Sequence, residues 1–125
     1  MKTIGVIDDD KDCGVYLTFL LEENFNVAYF QSWKEGKTAF LQSSPDLILL
    51  DISMPEIKGE EVLKQIRDIS TLATIPVIAL TAFALPEDEE RFIKLGFDGY
   101  IAKPIMDSSE LLKFFNKHSL EFSNE

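Results

Sequence analysis

Cysteine is nearly absent from the 125 residues: there is one, Cys13. No internal disulfide can form, and such usage fits a reducing compartment, so a cytoplasmic chain is expected. A single thiol early in a helix reads as a small packing residue. Basic residues are also scarce. Twelve Lys and Arg face 22 Asp and Glu, for a formal net charge of −10. That balance argues against nucleic acid, which needs a Lys/Arg surface, and against an anionic membrane surface. Long apolar runs are missing too, so nothing in the sequence spans a bilayer. No charged-then-apolar leader opens it. Low-complexity tracts, internal repeats and interdomain linkers are not found.

What is present is ordinary globular material. Apolar residues make up 46%, and ten of them are Phe. That is enough for one core in one domain and too much for disorder. Short apolar runs alternate with longer amphipathic stretches. Strands are expected at 3–7, 26–30, 45–51, 75–81 and 99–102, several of them apolar on both faces. Helices are expected over 14–23, 32–43, 59–69, 86–96 and 107–118. Ser32 should cap the second, with Trp33, Phe40 and Leu41 as its anchors, and Gly96 should close the fourth. Asp107 and Glu110 have capping-box spacing at the start of the fifth. Five strand–helix units of this kind predict an α/β fold, with a parallel sheet covered on both faces.

In such sheets the functional crevice lies at the carboxyl ends of the strands. That rule sorts the chemistry-bearing residues. The first strand runs into "DDDKD", with Asp8, Asp9, Asp10 and Asp12; the third ends at Asp51, the fourth at Thr81, the fifth just before Lys103. Parallel strands would bring these to one edge. Carboxylates gathered there repel unless a cation joins them. Oxygen ligands without nearby His or Cys suit Mg²⁺ and weigh against zinc. Lys103 can neutralise a further anion and Thr81 can donate to it, an arrangement suited to a phosphoryl group. Asp51, closing four consecutive aliphatics, is the natural nucleophile for an acyl phosphate.

"VIDDD", "LILLDISMPEIKG", "IPVIALTA" and "YIAKP", in this order and at these spacings, resemble the receiver domain of two-component response regulators. The resemblance runs from Thr3 to His118, leaving 119–125 as a polar tail beyond a 1–118 receiver domain. It implies a flavodoxin-like, doubly wound (βα)5 sheet in order 2-1-3-4-5. It implies Asp51 as phosphoacceptor, Asp9 as a direct Mg²⁺ ligand, Asp8 acting through water, and the Ser53 carbonyl as a further ligand. Thr81 and Lys103 would contact phosphoryl oxygens, and Tyr100 matches the aromatic switch position. Pro104 would follow a cis peptide bond. Ser53 and Phe83 would flank the path of a hydrolytic water. Asp10 and Asp12 match no ligand position and read as solvated acids; His118 reads as solvated as well.

Three rival readings meet specific obstacles in the sequence. Asp8, Asp10 and Asp12 have EF-hand spacing, but the required Gly and terminal acid positions hold Cys13 and Phe19. A flavodoxin-like FMN site needs a non-acidic loop after the first strand. A haloacid dehalogenase-type aspartyl-phosphate phosphatase needs a second Asp where Ser53 stands, and stays as the alternative. The expected function is therefore a phosphorylation-switched signalling module, not a turnover enzyme. Its partners would be a histidine kinase or histidine phosphotransfer protein, and a target on the face of the fourth helix, fifth strand and fifth helix. Phe92 and Ile101 are expected to offer apolar contact there. The chain stops soon after its fifth helix, which favours a single-domain regulator or shuttle, with a receiver cut from a hybrid kinase or larger regulator as the alternative.

Overall fold

The computed structural model describes residues 1–82, 85, 87–105 and 109–117. Strands β1 (Thr3–Ile7), β2 (Asn26–Phe30), β3 (Leu47–Asp51), β4 (Val77–Thr81) and β5 (Gly99–Ala102) alternate with helices α1 (Lys11–Leu21), α2 (Trp33–Gln42), α3 (Gly59–Asp68), α4 (Asp88–Leu95) and α5 (Ser109–Lys117). The strands form one sheet in order β2-β1-β3-β4-β5, and every pairing is parallel. This is the doubly wound architecture expected from the sequence.

The two-residue strand period divides the core. Leu47 and Leu49 of β3 face one way, toward Leu17 and Leu21 of α1 and Leu111 and Phe115 of α5. Ile48 and Leu50 face the other, toward Phe40 of α2, Val62 and Ile66 of α3, and Phe92 of α4. Fully burying each such side chain contributes about 1.5–3 kcal/mol before entropy is charged against it. At the end of the strands remote from the acidic loops, Arg67 of α3 acts as a clamp. Its guanidinium donates to the carbonyls of Ala73, Ile75 and Gly96 and to Asp98 Oδ2. Gly96 ends α4 in the left-handed region at φ 108°, where a side chain would be strained.

Three expectations are corrected. Helix α1 starts at Lys11, not Gly14, because Asp10 caps it: its Oδ1 accepts from the amides of Asp12 (3.0 Å) and Cys13 (3.3 Å). Asp10 is thus a structural acid, not an idle one. Leu41 is 54% exposed, whereas its neighbour Phe40 is buried; one residue along a helix turns the side chain by about 100°. Phe92 and Ile101 are both buried, so neither offers surface contact. The Asp107–Glu110 box, Phe83, His118 and the tail 119–125 lie outside the described residues.

Candidate functional site

The acidic loop after β1 is held from the sheet outward. The amide of Asp8 donates to Phe30 O of β2 (3.1 Å), and its carbonyl accepts from the Tyr29 hydroxyl (2.8 Å). Its side chain is fully buried. Oδ1 accepts from the Asp10 amide at 2.9 Å. Oδ2 lies 2.9 Å from Lys103 Nζ, close enough to pair charges, yet it has no aligned hydrogen bond among the described residues. A buried carboxylate oxygen in that position retains acceptor capacity.

Asp51 ends the central strand and is 2% exposed. The turn after it is fixed by the Ser53 amide, which donates to Asp51 Oδ1 at 2.9 Å. Lys103 Nζ is 3.5 Å from Asp51 Oδ2. Asp9, exposed beside them, completes a group in which one carboxylate oxygen from each residue lies within 4.8 Å of the others. The parallel register explains the gathering, since β1 and β4 both flank β3.

The electrostatics follow from this geometry. Burial raises the Asp51 carboxyl above its ordinary 3.8; the Ser53 amide opposes the rise, the Asp8 charge adds to it, and Lys103 moderates it. Asp9 is raised by burial and by the neighbouring Asp51 carboxylate. For Lys103, burial pulls down, but contact with Asp8 and the charges of Asp8 and Asp51 together push it up, so it remains an ammonium. The Cys13 thiol is pushed up to about 12 by burial and by Asp8, which suits a packing residue and not a nucleophile. Tyr29 is likewise pushed up to about 12, by burial and the charges of Asp8 and Asp10, and keeps its proton.

The donor set fits a hard divalent cation: two buried carboxylates and one exposed, with one oxygen of the buried Asp8 lacking a hydrogen-bond partner among the described residues. Asp8, Asp9 and Asp51 are the residues that could hold it. Thr81 closes β4 with 3% exposure, and its carbonyl accepts from the Lys103 amide at 2.8 Å. The Lys103–Pro104 peptide bond is cis. Tyr100 is half-buried, its ring 5.5 Å from that of Phe92. Sequence reasoning missed Tyr29, whose contact with Asp8 spans 21 residues and leaves no local pattern.

The chain matches the response regulator receiver domain model over residues 4–116. It is 36% identical over 105 residues to the polar-differentiation response regulator DivK of Brucella ovis, covering 83% of this chain and 85% of that one. The chemotaxis response regulator CheY4 of Vibrio cholerae superposes with a TM-score of 0.84 at 24% identity, covering 94% of this chain and 98% of that one. The receiver domain of the sensor histidine kinase PA1611 of Pseudomonas aeruginosa, solved with magnesium in its active site cleft, gives 0.80 at 25% identity, covering 93% and 95%. The family match displaces the phosphatase alternative.

Proposed function

Because this chain belongs to the response regulator receiver domain family and is the receiver of a two-component system, we propose that Asp51 is its phosphoacceptor and that Lys103 and Thr81 serve the transfer. One observation carries the assignment: Asp51 is a nearly buried carboxylate at the end of the central strand, with an ammonium 3.5 Å away and two further carboxylates within 4.8 Å. A carboxylate held at that cost needs a chemical reason.

In this reading an Asp51 oxygen attacks the phosphorus of a phosphohistidine. The new O–P bond forms as the N–P bond breaks, and the imidazole leaves with the electron pair. The Ser53 amide holds the other Asp51 oxygen and so aims the attacking one. Lys103 stands where negative charge gathers on the phosphoryl oxygens, and Thr81 borders the same edge. Asp8, Asp9, Asp51 and the Ser53 carbonyl would hold Mg²⁺, the ion carried by the PA1611 receiver domain, and it would supply charge neutralisation when bound. The phosphodonor is a histidine kinase or histidine phosphotransfer protein. The reading carries a cytoplasmic location, where a single thiol stays reduced. Among the described residues no helix is long and apolar enough to cross a membrane.

The output face is that of α4, β5 and α5. Tyr100 borders a groove there together with Glu89, Ile93, Lys113 and Lys117. Ile93 supplies the exposed apolar contact that Phe92 and Ile101 cannot. The test is incubation with acetyl phosphate, with and without Mg²⁺, read by intact mass. One phosphoryl group should be added, dependent on Mg²⁺ and lost in Asp51→Asn. Undiminished labelling of that variant would overturn the assignment.

A further inference from the structure

We infer that Tyr29 is a positioning residue for the acidic site: it anchors the Asp8 main chain to β2 and thereby sets the direction of the Asp8 carboxylate. The inference rests on reading that site as the cation and phosphoryl centre. Three observations meet here. First, both main-chain polar groups of Asp8 are held by consecutive residues of β2. Its N–H donates to Phe30 O at 3.1 Å, and its C=O accepts from Tyr29 at 2.8 Å. The same hydroxyl lies 3.4 Å from Asp10 O, the carbonyl that accepts the first helical bond of α1 from Gly14. One phenol therefore sits at the junction of strand, acidic loop and helix.

Second, the path of the ring requires Gly14. A Cβ built there would lie 2.1–2.5 Å from three carbons of the Tyr29 ring. Any side chain at position 14 displaces the ring and withdraws the hydroxyl from Asp8. A glycine inside a helix costs stability relative to alanine, and close passage of this ring explains its presence in α1. Third, the anchoring leaves Asp8 little freedom. With the main chain fixed and Oδ1 engaged by the Asp10 amide, only Oδ2 remains to face Lys103 and the other carboxylates. Releasing the carbonyl would let the loop turn and carry Oδ2 away. Partners that orient a ligand typically change metal affinity by about 10–100-fold when lost. Tyr29 acts one step further back, through the backbone, so the lower end of that range is expected.

The test compares wild type with Tyr29→Phe, which keeps the ring over Gly14 and removes only the oxygen. Amide exchange of the metal-free protein at Asp9 and Asp10 should quicken about tenfold, with exchange in β3 unchanged. Mg²⁺ affinity, read by NMR shifts of the same amides, should fall about tenfold. Gly14→Ala, which keeps the hydroxyl but crowds the ring, should reproduce both effects. In a Tyr29→Ala background Gly14→Ala should be harmless or stabilising. Unchanged exchange and Mg²⁺ affinity within twofold of wild type in Tyr29→Phe would overturn the inference. If the loop loosens in Tyr29→Phe while wild type shows no Mg²⁺ response, the anchoring is supported and the reading of the site as a cation centre fails.

Discussion

Removing the charge of Asp51 should make the metal-free protein more stable. Two distances set the charge terms, and burial sets the sign. The Asp8 and Asp51 carboxylates approach within 4.8 Å, which at an effective dielectric of about 20 gives roughly 3.5 kcal/mol of repulsion. Lys103 at 3.5 Å returns about 4.7 kcal/mol of attraction on the same scale. Asp9 adds repulsion, but it is exposed and its share is screened. Charge pairs thus nearly cancel, and burial of the Asp51 carboxylate decides the sign. Asn at this position keeps an oxygen to accept from the Ser53 amide, and Lys103 keeps Asp8 at 2.9 Å. Asp51→Asn should gain about 1 kcal/mol, or roughly 4 °C in Tm for a domain of this size. The pH dependence has the matching sign. A carboxyl raised in the folded state binds protons there before it does in the unfolded chain, so its contribution is present below 3.8 and is lost as pH rises through the higher folded value. In Asp51→Asn that loss disappears. Mg²⁺ should reverse the order: at tenfold excess over its Kd it stabilises wild type by about 1.4 kcal/mol and the Asn variant by less. The assay is thermal and urea unfolding with EDTA or Mg²⁺. An Asp51→Asn protein less stable than wild type in EDTA would refute the reasoning.

Lys103→Ala leaves Asp8 and Asp51 without their cation and should cost about 2 kcal/mol in EDTA, less than a fully buried pair because the ammonium is partly solvated; adding Asp8→Asn should recover part of that loss in urea unfolding, and the single variant should bind partners without regard to phosphorylation. In Thr81→Ala, beryllofluoride should still shift the amides around Asp51 but no longer those of Tyr100 and Ile93; an unaltered pattern in the NMR spectrum would refute the proposed route. Arg67→Ala removes donors to three carbonyls and Asp98 and should cost about 3 kcal/mol, with Arg67→Lys recovering only part.

Much of this was legible because the strands are short and dense. Leu47–Leu50 has no polar side, so burial on both faces, and with it a parallel sheet between helix layers, could be read directly. Once the strands are parallel, Asp8, Asp9, Asp51, Thr81 and Lys103 must meet at one edge. The readings that failed depend on rotation or on tertiary packing. Leu41 and Phe40 both suit an apolar stripe, and the helix could bury only one of them. Phe92 lies on an amphipathic helix, but which face α4 turns inward is settled by Phe97 and Tyr100 packed against it. The start of α1 was placed too late because Asp10 was read as a solvated acid and not as a cap, although its carboxylate is spent on the helix amides. Tyr29 looked like any strand aromatic, since its role exists only beside a glycine fifteen positions earlier.

In the proposed switch, the sheet would carry a change at Asp51 toward Tyr100. Thr81 pairs with Ala102 and Ala79 with Tyr100 across β4 and β5, and the Lys103 amide is tied to Thr81 O. The two residues proposed to meet the phosphoryl group are therefore joined through one backbone hydrogen bond. Drawing Thr81 and Lys103 toward Asp51 pulls on the same end of β5. Lys103 Nζ lies 2.9 Å from Asp8 Oδ2 and 3.5 Å from Asp51 Oδ2, so a phosphoryl group on Asp51 would compete with Asp8 for the one ammonium. A cation held by Asp8 and Asp9 would ease that competition by neutralising charge on Asp8. Tyr100 is half-buried, and its ring rests against Phe92. In the proposed reading, phosphoryl chemistry and the output face are coupled through this one strand pair, while Tyr29 on β2 anchors the opposite side of the site.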